Sequence, residues 1–316
     1  MSMERQQIPD PLYTLRGDME AIHCLFYQLG TDSEYILAST QNGTIYKWNL
    51  QTCREDFRFQ VGDDACLSIN YIDNLFISQT KGGEIKFWEE TNGTWELKAK
   101  VFSEYWGFCK IDTFSGKFLV CPESGSNIRI VDLNGKIVRR LCNGGKEKCG
   151  EIMAIKCFSL LGTEYIFVLC ENGILTIFKA CGGKVCDLKV MSDCPMALDF
   201  DGESKGVVGG SGDVLVGFQL TSDLQLVKGR QAVITNKGVS CVAIRPDKKL
   251  FVAGCWDCRL RLFSMKSFKL LVVLQNHKEV IQDICYSSAK VNSFNSQWLL
   301  AAAGKDGRIT LWDLYS

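Results

Sequence analysis

A single pattern returns seven times along the 316 residues of this sequence. The segments NGTIYKWNL, GGEIKFWEE, SNIRIVDLN, NGILTIFKA, DVLVGFQLT, CRLRLFSMK and GRITLWDLY each run from a turn through alternating apolar residues to a large side chain with a polar neighbour. The large residues are Trp48, Trp88, Val131, Phe178, Phe218, Phe263 and Trp312, at successive separations of 40, 43, 47, 40, 45 and 49 residues. Periods of roughly 20–50 residues belong to units that cannot bury their own faces and must stack on copies of themselves. Such a chain has few alternatives to an array of repeats.

Within each unit, further short apolar runs are bounded by Gly, Asn, Asp or Ser, the signal for strands joined by tight turns. In the sixth unit VSCVAIRPD, KLFVAGCW, CRLRLFS and KLLVVLQ supply four strands, with Pro-Asp and the Trp256-Asp257 corner as punctuation. Helical periodicity is missing. Four-stranded units of this kind stack radially into a β-propeller. The seventh unit lacks an outer strand after GRITLWDLYS, and PLYTLRG, from Pro11 to Gly17, resembles the strand that precedes each repeat. Pairing the two would hide a sheet edge. The sequence thus predicts an all-β, seven-bladed propeller over residues 11–316, closed by the N-terminal strand, with a short tail over residues 1–10. Six blades with one irregular insert is the alternative, because the third unit is the weakest and lacks its Trp.

These residues resemble the WD-repeat superfamily along almost the whole chain, best in Trp312-Asp313 and in His277, Asp306 and Trp312 of the last unit. The resemblance implies a partial structural tetrad of His277, Asp306 and Trp312, left incomplete because Gly304 stands where a Ser or Thr is usual two residues before the Asp. The corner positions six residues before the large side chains read Asn42, Gly82, Gly125, Asn172, Gly212, Asp257 and Asp306, so two retain Asp. Stability should then come mainly from apolar stacking, since a net hydrogen bond contributes roughly 1 kcal/mol and a buried Leu or Phe roughly 1.5–3. The YWGFC segment at Tyr105–Cys109, GVSCVAIRPDKKLFVAGCWDCRLRLF and GKDGRITLWDLY are similar to a narrower group, G-protein-β-like, ASTRA-associated WD-repeat adaptors. That resemblance implies a non-enzymatic scaffold or cochaperone factor. It would act with components of the TTT complex in the maturation and stability of phosphatidylinositol-kinase-related protein kinases. A G-protein β-like signalling subunit and a general peptide-binding propeller are the alternatives. The first is disfavoured because about ten residues, interrupted by Pro9 and Pro11, precede the closing strand.

Composition narrows the functional classes further. Lys plus Arg and Asp plus Glu both number 36, so no global field draws the chain to nucleic acid or an anionic membrane. The start, MSMERQQIPDPLYTLRG, has no signal-peptide core, and nowhere do about 18 apolar residues run together. A cytoplasmic protein, with the nucleus as a second compartment, is expected. The 16 cysteines are irregularly spaced and should be mostly reduced thiols. Two histidines, His23 and His277, leave little material for triads or metal sites, and each reads as structural. Cys255-Trp256-Asp257-Cys258 is a CxxC on a strand-turn-strand corner, and Cys181 with Cys186 is a second thiol pair; neither has the setting of a zinc or redox site. The glycine-rich VVGGSGDVLVG and CNGGKEKCG lack a phosphate-loop pattern. Asn42-Gly-Thr44 and Asn92-Gly-Thr94 match the glycosylation sequon without the compartment to use it. No catalytic residue, cofactor or metal is expected.

A propeller rim offers loops on a rigid ring, suited to protein recognition through aromatic and charged anchors. The loop entering a blade and the corner between its second and third strands should open on one face. Tyr105 and Trp106 fall in the loop entering blade three, Trp256 and Asp257 in the corner of blade six, and Lys305 in that of blade seven. Arg259 and Arg261 follow the blade-six corner. These seven are the candidate protein-binding residues. The competing reading has the tryptophans filling gaps between blades and the arginines satisfying carbonyls.

Overall fold

Alternation of apolar and polar residues gives each repeat a strand with two unlike faces, and the large residue near its end sets the depth at which neighbouring sheets pack. The computed structural model describes residues 9–31, 33–72, 74–91, 94–142 and 149–315, which form seven four-stranded antiparallel sheets. Innermost in successive blades are Ile22–Leu29, Cys66–Ile72, Asp112–Phe114, Ile152–Leu160, Pro195–Phe200, Val239–Ile244 and Ile281–Tyr286. Each blade continues outward through two more strands to an outer one, Arg54–Gln60 in blade 1 and Leu270–Gln275 in blade 6. Among the described residues the one helical element is a single turn, Asn292–Phe294.

All seven large residues are buried on third strands. They face Ile36, Phe76, Leu119, Ile166, Gly206, Phe251 and Leu300 of the second strands, the same register position in every blade. The core is accordingly divided into seven apolar clusters, each shared by two neighbouring blades. Val131 fills its place between blades 2 and 3 with Ile77, Phe87 and Leu119, so the third repeat is a full blade and the ring has seven members rather than six.

Blade 7 takes its outer strand from the chain start. Tyr13–Arg16 pairs antiparallel with Arg308–Leu311, and Leu15 is fully buried in the cluster that blade 7 shares with blade 1. An unpaired edge at Arg308–Trp312 is thereby covered. Of the tail expected over residues 1–10, residues 1–8 lie outside the described residues, as do Asn92 and Gly93 of the second sequon and Asn143–Lys148 of the second glycine-rich stretch.

Blade 7 also corrects the expectation of an incomplete tetrad. The Trp312 indole N–H donates to the Thr310 hydroxyl at 2.8 Å, that hydroxyl lies 2.9 Å from His277 Nε2, and His277 Nδ1 lies 3.1 Å from the Asp306 carboxylate. With His277 protonated on Nδ1, the donors run from indole to hydroxyl to imidazole to carboxylate, and Asp306 also accepts the Lys278 and Arg308 N–H groups. The missing hydroxyl comes from the third strand instead of the second. A side chain at Gly304 would lie 3.2 Å from His277 Nδ1 and 2.9 Å from the Val280 carbonyl, so the imidazole occupies the space that a residue there would need. Burial, which raises a carboxyl pKa, is outweighed at Asp306 by hydrogen bonds from His277 and the Lys278 N–H, and the group is held below its ordinary value.

The same third-strand position does similar work elsewhere. Tyr46 donates to the Asp18 carbonyl, Lys86 to the Val61 carbonyl and Arg129 to the Phe102 carbonyl, each tying its blade to the segment that enters it. In blade 4 the equivalent Thr176 hydroxyl is buried with no hydrogen-bond partner among the described residues.

Candidate functional site

Two local features direct side chains toward one face of the ring. The first is the corner between second and third strands. The backbone N–H of Gln41, Lys81, Glu171, Ser211, Trp256 and Lys305 donates to a carbonyl in the segment entering its own blade, which places corner and entering loop together. The second is a one-residue bulge near the start of six inner strands, at His23, Leu67, Met153, Met196, Ser240 and Gln282. A bulge re-aims one side chain without ending the strand. All six bulge residues line one cavity of about 550 Å³ at the mouth of the central channel.

Blade 3 lacks this bulge and contributes Phe108 and Lys110 instead. Lys110 reaches from blade 3 to Asp283 of blade 7, Nζ to Oδ1 2.7 Å, spanning the channel beneath the mouth. The other Asp283 oxygen accepts the Leu25 N–H of blade 1 at 2.7 Å. Burial, which would lower the Lys110 pKa, is outweighed by Asp283, so the ammonium stays charged. Below it Lys156 pairs with Asp199 at 2.7 Å, while Asp112 and Asp199 accept the N–H groups of Cys157 and Ile244 in the next blades. These inward carboxylates are therefore stitches between blades.

The mouth itself is mostly apolar, with Leu67, Phe108, Met153, Met196, Trp256 and Val280 among its lining and His23 and Lys305 beside them. Methionine adapts its shape to irregular partners. Phe108 is 59% exposed, with Lys81 Nζ 4.9 Å from its ring centroid. Trp256, 40% exposed, lies flat on Gly238 (φ +99°), where a β-carbon would come within 2.1 Å of the indole.

The structure separates the seven sequence-derived candidates. Trp256 and Lys305 meet at the channel mouth. Trp106 is 72% exposed on the same face, beside the blade-two corner at Gly82, and is not part of the cavity wall. Tyr105 belongs to the interior: it is 3% exposed, and its hydroxyl donates to the Ile152 carbonyl at 2.5 Å and accepts the Cys109 N–H at 3.2 Å. A phenol so enclosed anchors the loop and leaves its neighbours Trp106 and Phe108 to face solvent. Arg261 is likewise buried, in a two-pronged pair with Asp257 at 2.8 and 2.6 Å, and Asn236 donates to the same carboxylate. Burial raises the Asp257 pKa, but the Arg261 and Asn236 hydrogen bonds outweigh it and hold the carboxyl low. Arg259 is half-buried, its guanidinium 3.8 Å from Asp257. Asp257 and Arg261 thus set the corner that carries Trp256. Sequence reading missed Phe108, Lys110, Met153 and Met196. The repeated signal available for the methionines was their place immediately after the first residue of two inner strands.

The chemistry of these groups is that of a contact surface. His23 is held by Gln41, Nε2 to Oε1 2.6 Å; its pKa is lowered by burial, partly offset by that hydrogen bond, with Lys110 and Lys305 adding to the lowering. Ser240 spends its hydroxyl on the Gly254 and Ile281 carbonyls. Of the CxxC pair, Cys255 adjoins the exposed Trp256 at the corner but is itself fully buried, and burial pushes its thiol up to about 11 against the pull of Arg261. Cys258 is also raised by burial. Neither thiol is poised as a thiolate. Among the described residues no group of three or more His, Cys, Asp or Glu is placed to hold a metal ion. No helix among the described residues is long and apolar enough to cross a membrane.

Seven stacked four-stranded blades and an N-terminal closing strand define a seven-bladed β-propeller, with a His-Thr-Trp-Asp network in its last blade. The family described as WD domain, G-beta repeat matches residues 230–264 and 268–313. Each match runs from the outer strand of one blade to the third strand of the next, and these are the two units whose corners keep Asp. Over its whole length the chain is similar to guanine nucleotide-binding protein subunit beta-like protein 1 of Mus musculus, 27% identical across 97% of both chains. It is also similar to ASTRA-associated protein 1 of Schizosaccharomyces japonicus, 37% identical over 78 residues, a quarter of this chain and a fifth of that one. The protein of the same name in Aspergillus flavus is 29% identical over 115 residues.

Proposed function

We propose that this chain is a non-enzymatic adaptor that works with TTT cochaperone components in the maturation and stability of phosphatidylinositol-kinase-related protein kinases, in the cytoplasm and nucleus. Full-length similarity to the beta-like mouse protein and local similarity to proteins named for association with ASTRA support the reading. The observation that carries the adaptor role is the channel mouth. Six strand bulges and two blade-three residues converge on one point of a rigid ring, where Leu67, Phe108, Met153 and Met196 make an adaptable apolar surface with Trp256 and Lys305 beside it.

The aromatic groups would supply desolvated area and Lys305 would fix orientation. Truncating a true hot spot costs roughly 2–4 kcal/mol, or about 30-fold to nearly 1,000-fold in affinity. The test is titration of purified TTT complex against Trp106→Ala, Trp256→Ala and Lys305→Glu, with melting curves as the folding control. If all three stay folded and bind within about twofold of the parent, below roughly 0.5 kcal/mol, this face does not hold the complex. Affinity purification with mass spectrometry separates the readings: kinase-maturation factors support the proposal, and G-protein γ and α subunits support the signalling alternative.

A further inference from the structure

On the opposite face, the turns of blades 3 and 4 enclose a second cleft of about 480 Å³. Its wall holds Phe114 and Phe118, stacked with ring centroids 5.3 Å apart, together with Ile130, Val138, Thr163, Ala180 and the acidic residue Glu164. Beside Gly162 at its lip stands Leu161, 98% exposed and in the left-handed region at φ +49°. With Gly162 at φ +74° it makes a two-residue hairpin turn in which both residues need positive φ. Asn or Gly is the comfortable first residue of such a turn, and a leucine there exposes its whole side chain to water.

The charges around this cleft are unbalanced in one direction. Arg139 lines it and lies over the turn of blade 4, where a β-carbon on Gly182 would sit 3.3 Å from the guanidinium. Lys117, Lys136 and Lys179 stand exposed on the turns and strand end around it. None of these four cations has an ion pair among the described residues, and of the nearby acids Asp187 is ion-paired while Glu164, in the cleft wall, and Asp132 take hydrogen bonds from neutral donors, so four unpaired cations stand against two carboxylates. Glu164 accepts the Ser115 hydroxyl at 2.6 Å, Asp132 caps its own turn by accepting the N–H groups of Asn134 and Lys136, and Asp187 pairs with Lys184. In a chain with equal numbers of acids and bases, this is a local excess of free positive charge around an apolar floor.

From this we infer that the cleft between blades 3 and 4 is a docking site for an acidic peptide segment of a partner protein, one large apolar side chain entering over the Phe114–Phe118 stack and flanking carboxylates meeting Arg139, Lys117, Lys136 and Lys179. A cleft of a few hundred cubic ångströms with a mostly apolar lining and a few polar fixed points is the usual form of such a site. The inference stands independently of the channel mouth. Because the two surfaces lie on opposite faces, one chain can hold two partners at once, which is what an adaptor requires.

The test uses the full chain, immobilised and panned with a random dodecapeptide library on phage. Enriched peptides should carry at least two acids beside Phe, Leu, Ile or Trp. Synthetic, fluorescein-labelled copies should bind in polarisation assays, and Arg139→Glu, Lys179→Glu and Leu161→Asp should each weaken them at least tenfold while melting like the parent, since all three side chains are exposed. Cys181, an exposed thiol in the cleft wall, should be protected from N-ethylmaleimide by these peptides, and Cys142, exposed at the end of the blade-three outer strand, should not. The inference is overturned if no peptide is enriched, if the enriched peptides lack acids, or if Cys181 stays reactive. Peptides that survive Arg139→Glu and are lost with Trp256→Ala belong to the channel mouth and overturn it as well.

Discussion

Replacing Thr310 by Val keeps the shape of the side chain and removes one hydroxyl. That hydroxyl joins the Trp312 indole at 2.8 Å to His277 Nε2 at 2.9 Å, and both partners are buried. Without it a buried N–H and a buried imidazole nitrogen lose their partners, at a cost of about 1–3 kcal/mol each, so a total of about 2–6 kcal/mol is expected. For domains of about 150–250 residues each kcal/mol moves Tm by roughly 2–4 °C, and for a longer chain the low end applies, giving a fall of about 4–12 °C. The same substitution at Thr176, the equivalent position of blade 4, should act the other way. Its hydroxyl is fully buried without a partner among the described residues, and exchanging it for a methyl group removes an unmet polar atom at no loss of packing. Thr176→Val should therefore leave Tm unchanged or raise it by about 2 °C. Differential scanning calorimetry and urea titration of both variants provide the measurement. If Thr310→Val melts within about 1 °C of the parent, or Thr176→Val falls as far as Thr310→Val, the hydroxyl chain is not what holds blade 7.

Deleting residues 1–17, or placing Asp at Leu15, should lower stability by at least about 1.5–3 kcal/mol for the lost burial and produce concentration-dependent aggregation in light scattering, because the Arg308–Trp312 edge is uncovered. Tyr105→Phe should destabilise by about 1–3 kcal/mol, since the Ile152 carbonyl and the Cys109 N–H both lose a buried partner, whereas Trp106→Ala one residue away should leave the melt nearly unchanged. Acid should weaken the fold in two windows. The folded His23 pKa lies below its unfolded value near 6.5, so the unfolded chain takes up that proton first and stability declines as pH falls through about 6.5. His23→Gln should remove that step in urea midpoints measured from pH 7.5 to 5. Glu34, Asp247, Asp257 and Asp306 are all held below their ordinary values, so their contribution is present above roughly pH 5 and is lost as pH falls below about 4. A midpoint that does not change between pH 5 and 3 contradicts this.

Much of the ring was legible because its cause is local. A strand alternates two faces, a turn residue ends it, and the large side chain before a polar one marks the same depth in every blade, so even Val131 could be aligned with Trp48 and Trp312. The closing strand could be read for a similar reason: a third strand without a successor leaves an edge, and Pro11–Gly17 carried the pattern to fill it. The upper rim was legible in part. Trp256 and Lys305 could be placed at corners by counting, but Tyr105 and Trp106 are adjacent in sequence and end on opposite sides of the surface. Which of two neighbouring aromatics turns inward depends on the Ile152 carbonyl, supplied by the next blade.

By itself the sequence determined that the chain is all-β, where its seven third-strand segments run and which segment closes the ring, because these follow from period-two alternation and turn chemistry within one repeat, while the full third blade was decided by packing around Val131. Only the tertiary structure decided which side chains face the channel and which cations are free. His23, Leu67, Met153, Met196, Ser240 and Gln282 reach the mouth through one-residue bulges, and a bulge reverses a residue's face without altering the pattern that defines the strand. Gly304 and Thr310 show the same limit from the other side. The hydroxyl that completes the network lies on a neighbouring strand, close in space and six residues away in sequence, so a rule written in sequence spacing could not find it. The partners of Arg261, Lys110 and Asp283 were settled the same way, by distances across corners and across the ring.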